Sequence, residues 1–445
     1  MAIRLTVLFV GVCLASAAHS QTLERAVWPE PRPLEPAKLD RLGLRAVEGD
    51  RLTLVTDLPA SPEIDELPAV VAATLPELAE YFSVAPESFA GWRLRGYLIA
   101  DREKFAAAGL MPPPEHAEFP HALSMGYEVW VNHQPSGYYN RALLIHETTH
   151  SFMSTLLGGC GPGWYMEAVA ELMGGHAWDA ERRSVKLRIL PADRGVAPYW
   201  GRVPLVRAAQ GALTLGAVMK ISNNRPLPVE SYAAVWSLAK FMDAHPRYRD
   251  RFRKLPRIVL QQDFNDRFRR AFARDARALG AEYQLFAKTL VYGHDVEREA
   301  IDFRQGKPFD SPASSGSPRR VAVRADRGWQ PSGVAVRRGE SYRFQAKGRY
   351  VIAKEPDGAP WPCEANGITF TYHGGRPLGQ LLAAVVDYEA PLLGGGLLQP
   401  FVLGGSGVFK APASGTLLLR VNDSPAKLAE NEGGLTVTLD RSKKP

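Results

Sequence analysis

His146 and His150, four residues apart in Leu143-Leu144-Ile145-His146-Glu147-Thr148-Thr149-His150, fall on one face of a helix, where their ring nitrogens converge on a point that fits a zinc ion. Glu147 stands beside that point and outside the ligand set, placed to take a proton from a water that the metal activates. With ten histidines in the chain, a chance H-E-x-x-H has odds of roughly one in a hundred. A second helical segment, Gly163-Trp164-Tyr165-Met166-Glu167-Ala168-Val169-Ala170-Glu171, follows the turn Gly158-Gly159-Cys160-Gly161-Pro162. The turn folds this segment back, so that Glu167 can offer an oxygen to the same ion. Two histidines and one carboxylate, with a fourth position left to water, make a catalytic rather than a structural zinc site. Hydrolysis of an amide also needs a donor for the oxyanion. His176, after Gly174-Gly175, is the first candidate, followed by Tyr138, Tyr139, Tyr165 and Tyr199; for each the plain alternative is a packed or surface ring.

The elements that must position these residues are read from periodicity. Arg51 to Thr56 alternates as a strand, Ile64 to Phe82 has helical spacing after Ser61-Pro62-Glu63, and strand Trp92 to Ile99 with helix Asp101 to Ala108 repeats the unit. A short aromatic strand, Tyr127 to Val131, precedes a metal-bearing helix from about Asn140 to Leu157, and a second helix runs from about Trp164 to Met173. Ser231 to Ala244 and most of Asp263 to Leu290 are helical in pattern. Gly306 to Pro318 is rich in Gly, Pro and Ser and reads as a linker. Beyond it come short β-rich runs: Val321 to Val323, Ser341 to Lys347, Ile368 to His373, Leu381 to Val386, Gly407 to Lys410, Thr416 to Val421 and Leu435 to Leu439. The expected organisation is an α+β domain over 21–305, a linker over 306–318 and an all-β sandwich over 319–445.

The chain has 445 residues, 45% hydrophobic and 23% charged, values of a globular protein that exclude disordered and collagen-like classes. At its start Arg4, the apolar run Leu5 to Leu14 and the small residues Ala15-Ser16-Ala17-Ala18 read as a secretory signal peptide over 1–20. Its apolar core is too short to span a bilayer, and no later stretch can, so no transmembrane anchor is expected. Secretion, or export to the periplasm or cell envelope, follows. Cys160 and Cys363 remain after the leader; an oxidising compartment permits a bridge between them, and two free thiols are the alternative. The net charge of +7 suits solubility or an anionic cell surface. No basic cluster with interleaved aromatics is expected to suggest nucleic acid, and a secreted protein seldom meets it, so a nucleic-acid partner is not expected.

His146-Glu147-x-x-His150, 16 residues, then Glu167 in a W-x-x-E-x-x-A-E setting resembles the gluzincin branch of zinc metallopeptidases. Within it the likeness is to bacterial peptidase-like families with a Trp-Leu-x-Glu-Gly-Leu-Ala-Glu segment after the H-E-x-x-H helix, and it covers about residues 90 to 180. The resemblance implies a zincin-like fold and a peptide or protein substrate. It also implies that Glu171 hydrogen-bonds a zinc-bound histidine and fixes its tautomer. It further implies that the strand before the metal helix is a sheet edge that pairs with an extended substrate; an ordinary core strand is the alternative. Ala168 stands where the pattern has Gly.

Leu419-Arg420-Val421-Asn422-Asp423-Ser424-Pro425, with Ala346-Lys347-Gly348 and Leu381 to Val385, is similar to the sandwich of bacterial calcium-dependent galactose-binding lectins. That likeness implies calcium and a cell-surface glycan at Asp423 and Asn431, while Lys427 and Glu430 depart from the neutral residues of the lectin pattern. Trp329, Trp361 and Tyr372 are candidates to stack on a sugar. The expected function is a secreted zinc metallopeptidase with an accessory glycan-binding domain. Two alternatives stand beside it: a carbohydrate-binding surface protein whose peptidase-like half is inactive, and a zinc amidohydrolase of cell-wall material.

Overall fold

A computed structural model describes residues 22–192, 201–209, 211–222, 227–309, 318–387 and 398–441. The expected leader over 1–20 and Tyr199 lie outside the described residues. The first part of the chain is mixed α and β, and the second is β-rich, as the sequence patterns predict.

The first part is built on a five-stranded sheet of β1 (Arg45–Glu48), β2 (Leu52–Thr56), β3 (Leu94–Ile99), β4 (Ala122–Met125) and β5 (Glu128–Asn132), in the order β1-β2-β3-β5-β4. Strands β2, β3 and β5 are parallel, and the two outer strands run antiparallel to their neighbours. Helix α1 (Leu67–Phe82) makes the crossover from β2 to β3 that a parallel pair requires. Both faces of the sheet are buried: Leu52, Leu54, Leu94, Leu98, Val129 and Val131 enter one core, and Val55, Tyr97, Ile99 and Trp130 the other, the period of two that strand side chains must have. The aromatic strand before the metal helix is β5, which lies inside the sheet between β3 and β4. The edge is β4, whose Ala-Leu-Ser-Met lacks any β-branched residue and is too short to show alternation.

On the first of these cores lie α2 (Gly137–Phe152) and α3 (Gly163–Gly174), through Leu144, Ile145, Phe152, Trp164, Val169 and Leu172. Ser136 starts α2 by accepting the Tyr139 amide at 3.4 Å. The helix runs through a π turn, Met153–Leu157, and stops at Gly158, whose φ of +80° only glycine adopts without strain. Helix α4 (Arg202–Ala208) packs on α5 (Val229–Ala244), and α5 packs on α3.

The stretch 247–277 holds eleven Lys and Arg against four Asp, a surplus equal to the net charge of the whole chain, +7. Cations and aromatics interleave along it, which corrects the expectation that the chain has no such cluster. Tyr248, Phe252, Phe264, Phe268 and Phe272 are each at most 2% exposed, so these rings form core and offer no stacking face for bases.

In the second part, a five-stranded sheet centred on Leu381–Val386 and Gly415–Val421 faces a six-stranded sheet centred on Glu432–Arg441, Ser341–Lys347 and Tyr350–Lys354. Val334, Leu381, Leu419, Phe344, Tyr350 and Val437 are among the residues between them. The expected linker boundary moves. Lys307 and Pro308 pair with Val334 and Ala335, and Phe309 stacks on Tyr342 at 5.7 Å, so 306–309 already belong to the sandwich; 310–317 lie outside the described residues. Cys160 and Cys363 are both free thiols. Among the described residues no helix is long and apolar enough to cross a membrane.

The two parts are joined by a packed junction. Ala281 and Ile301 share a buried cluster with Trp329, Leu382, Ala384, Val386 and Leu418. Arg420 of the sandwich reaches Glu299 with two bonds, at 3.0 and 3.3 Å.

Candidate metal centre

The i, i+4 spacing on α2 and the turn into α3 bring three donors together. His146 Nε2 lies 3.0 Å from His150 Nε2 and 3.3 Å from Glu167 Oε2, and His150 Nε2 lies 3.6 Å from the same oxygen. A triangle with these sides has a centre about 1.9 Å from each corner, so an ion just off its plane reaches all three at zinc bond lengths of about 2.0–2.2 Å. All three residues are at least nine-tenths buried. Glu167 Oε2 is buried and, among the described residues, makes no aligned hydrogen bond, an arrangement costly for a carboxylate unless a cation completes it. The residues present therefore fit a metal ion, and no other group of His, Cys, Asp and Glu among the described residues does so.

The charges around the cluster point the same way. Burial disfavours a proton on His146, but Glu167, Glu171 and Glu147 outweigh it and raise its pKa to about 10. Burial likewise opposes the charge of Glu167, yet the two imidazoles hold its carboxyl well below the usual range. The centre thus favours positive charge, which a divalent ion supplies in place of a proton. Glu171 Oε1 is 3.4 Å from His146 Nδ1, on the side away from the donor cluster, where it orients the ring so that Nε2 faces the ion. Arg202 of α4 forms an ion pair with the other oxygen of Glu171, and although burial again works against the charge, Arg202 and His146 keep that carboxyl ionised. Glu147 is 6% exposed, and among the described residues no hydrogen bond occupies its carboxylate.

His176 is the site expectation that the geometry corrects. It is fully buried, its Nδ1 lies 2.9 Å from the Gly174 carbonyl, its Nε2 accepts from Arg141 at 3.4 Å, and Tyr138 stacks on it at 4.2 Å. Burial lowers its pKa to about 4. With both nitrogens taken, it is a neutral packing residue. Tyr165 lies in the core against Phe252 and Phe264, and Tyr139 is near Glu171 and Arg202.

The tyrosine that reaches the centre is one that the sequence reading missed. Tyr232 of α5 has its ring 6.4 Å from that of His146. Burial, then Glu167, Glu171 and Glu147, push its pKa up, so the hydroxyl stays a donor, and among the described residues it has no hydrogen-bond partner.

In the sandwich Asp423 and Asn431 are brought together, but as a hydrogen bond: Asn431 Nδ2 donates to Asp423 Oδ2 at 2.8 Å and to the Ala325 carbonyl at 3.1 Å. Asp423 Oδ1 accepts the Ser424 amide at 2.6 Å, and Lys427 pairs with Glu430 at 2.7 Å. The Asn431 amide nitrogen, and not its oxygen, thus faces Asp423, while Asn431 Oδ1 is buried with no hydrogen-bond partner among the described residues. The same loop faces the first domain, with the Pro425 carbonyl accepting the Asp295 amide at 3.0 Å. Trp329 is buried beneath Arg420, whereas Tyr372 and Phe370 are 59% and 74% exposed.

No family model and no curated protein matches this chain. Among solved structures, a chain described as "EclA N-terminal domain; PllA-like lectin" aligns over 29% of this chain and 100% of its own length, at 23% identity and a TM-score of 0.22. At that score the likeness carries no argument about fold or function.

Proposed function

We propose that this chain is a secreted or envelope zinc hydrolase of the zincin type, a metallopeptidase in which Glu147 is the proton acceptor. The observation that carries the reading is the convergence of His146, His150 and Glu167 on one point, with Glu147 beside it. Zinc held there would polarise a carbonyl and make water nucleophilic near neutral pH. Glu147 then accepts the proton of the attacking water and passes it to the leaving amine, which requires a carboxylate with no structural duty of its own. Tyr232 donates its hydroxyl hydrogen to the developing oxyanion. Edge strand β4, packed beside α2, offers backbone groups to an extended peptide, which supports a peptide over a compact substrate. Export rests on the leader pattern of residues 1–20.

The test is elemental analysis of the mature protein, wild type beside Glu167→Ala, paired with hydrolysis of a broad unfolded-protein substrate. One zinc per chain in the wild type, most of it lost in the variant, and chelator-sensitive cleavage are expected. A wild type that binds no supplied zinc and cleaves nothing would sink the proposal. Tyr232→Phe is expected to keep its zinc and lose about 10²-fold in kcat, with KM little changed. An unchanged kcat would remove Tyr232 from the reaction.

A further inference from the structure

Lys240 and Asp243, near the far end of α5, line a cleft of about 480 Å³ with Arg188, Arg249 and Arg253, and its opposite wall is formed by Gly293 to Glu297. Its charges pair unevenly. Asp243 takes two bonds from Arg253, at 2.6 and 3.1 Å. Asp295 pairs with Arg298 at 3.2 Å and Glu297 with Arg249 at 3.8 Å. Two cations are left over. Among the described residues Arg188 reaches the already paired Asp243, at 3.6 Å, and the Lys240 ammonium has one acceptor, the Arg188 carbonyl at 2.7 Å. An ammonium carries three donors, so Lys240 has donors left to offer into the cleft.

Both cations are held at the cleft by their own contacts. Lys240 is half-buried on its helix, and desolvation pulls the amine down to about 8 against the opposing pull of Asp243 and Asp295. Arg188 holds a left-handed backbone, φ +63°, unusual for a residue with a side chain. Its carbonyl is fixed on Lys240, and its guanidinium lies 5.3 Å over the ring of Tyr81.

We propose that this cleft binds a small molecule through an oxyanion group, a carboxylate or a phosphate, gripped by Lys240 and Arg188. The site is separate from the metal centre, since Tyr232 lies two turns earlier on α5, about 12 Å along the axis. Its wall is tied to the sandwich through Asp295 and Pro425, so a bound ligand also braces the junction.

The experiment is calorimetric titration of the purified full chain with inorganic phosphate and, separately, with acetate, at ionic strength held constant with sodium chloride. Saturable binding of at least one anion is expected, weakened at least about tenfold in both Lys240→Met and Arg188→Gln; which anion binds tells the two ligand classes apart. Lys240→Met puts an apolar chain of similar length at a half-buried position, so its fold, checked by circular dichroism, is retained. Glu167→Ala, which disables the metal centre alone, is expected to bind the anion as the wild type does. No saturable binding of either anion, equal affinity in either cleft variant, or binding abolished by Glu167→Ala would each overturn the proposal.

Discussion

Glu147→Gln is expected to keep one zinc per chain and a folded protein while hydrolysis falls by about 10²–10⁴-fold, the contribution of a positioned general base. Glutamine fills the same volume, so packing on α2 is preserved, but it cannot accept a proton near neutral pH. The geometry makes the substitution clean. Glu147 lies next to His146 in the chain, and its charge is felt by both His146 and Tyr232. No structural hydrogen bond among the described residues would be lost with it. A glutamate that merely balanced the charge of the centre would give the opposite pattern: zinc affinity would drop, and the hydrolysis remaining per bound zinc would be near that of the wild type. Zinc content and kcat measured on the same preparation separate these cases. Retention of more than a tenth of the activity per zinc would take Glu147 out of the proton-transfer role.

What was legible in the sequence is what short-range geometry determines. The i, i+4 histidines, and a turn of five residues rich in glycine, leave few ways to place Glu167 other than against α2, and Glu171 follows one turn later on the same helix. Tyr232 was not legible, because it reaches the centre only through the packing of α5 on α3, and no local pattern marks it. His176 follows two glycines in the sequence, which does not reveal that the Gly174 carbonyl and Arg141 occupy its two ring nitrogens. Strand Gln330–Val336 escaped notice since Pro331 and Gly333 interrupt its alternation. The register against Gly415–Val421 shifts there, with Gly333 at φ +72°, as at a β-bulge. The glycine- and serine-rich stretch after Gly306 read as a flexible tether, because composition cannot reveal that Lys307 and Pro308 add a strand to a sheet formed by residues further along the chain.

The packed junction has its own test. Arg420→Met is expected to cost about 3–5 kcal/mol of stability, because it leaves the Glu299 carboxylate buried without its counter-charge. Both side chains are only 10% exposed, so water cannot replace the lost bonds at little cost. Arg420 also donates to the Asp423 carbonyl at 3.1 Å and lies 5.5 Å over the ring of Trp329. Its loss therefore loosens the Asn422–Ser424 loop as well as the seam. The double variant Arg420→Met with Glu299→Met removes both charges and is expected to recover most of the loss, since an apolar cluster of Ala281, Ile301, Leu382 and Leu418 also packs in this seam. Denaturant titration followed by tryptophan fluorescence reads the effect. In the wild type the two parts should unfold together; in Arg420→Met the sandwich and the first domain should separate into two transitions. A cost below about 1 kcal/mol, in the range of exposed pairs, would mean that the other contacts, the apolar cluster and the Arg298–Asp326 pair at 2.7 Å, hold the junction and that Arg420 only fills space above Trp329.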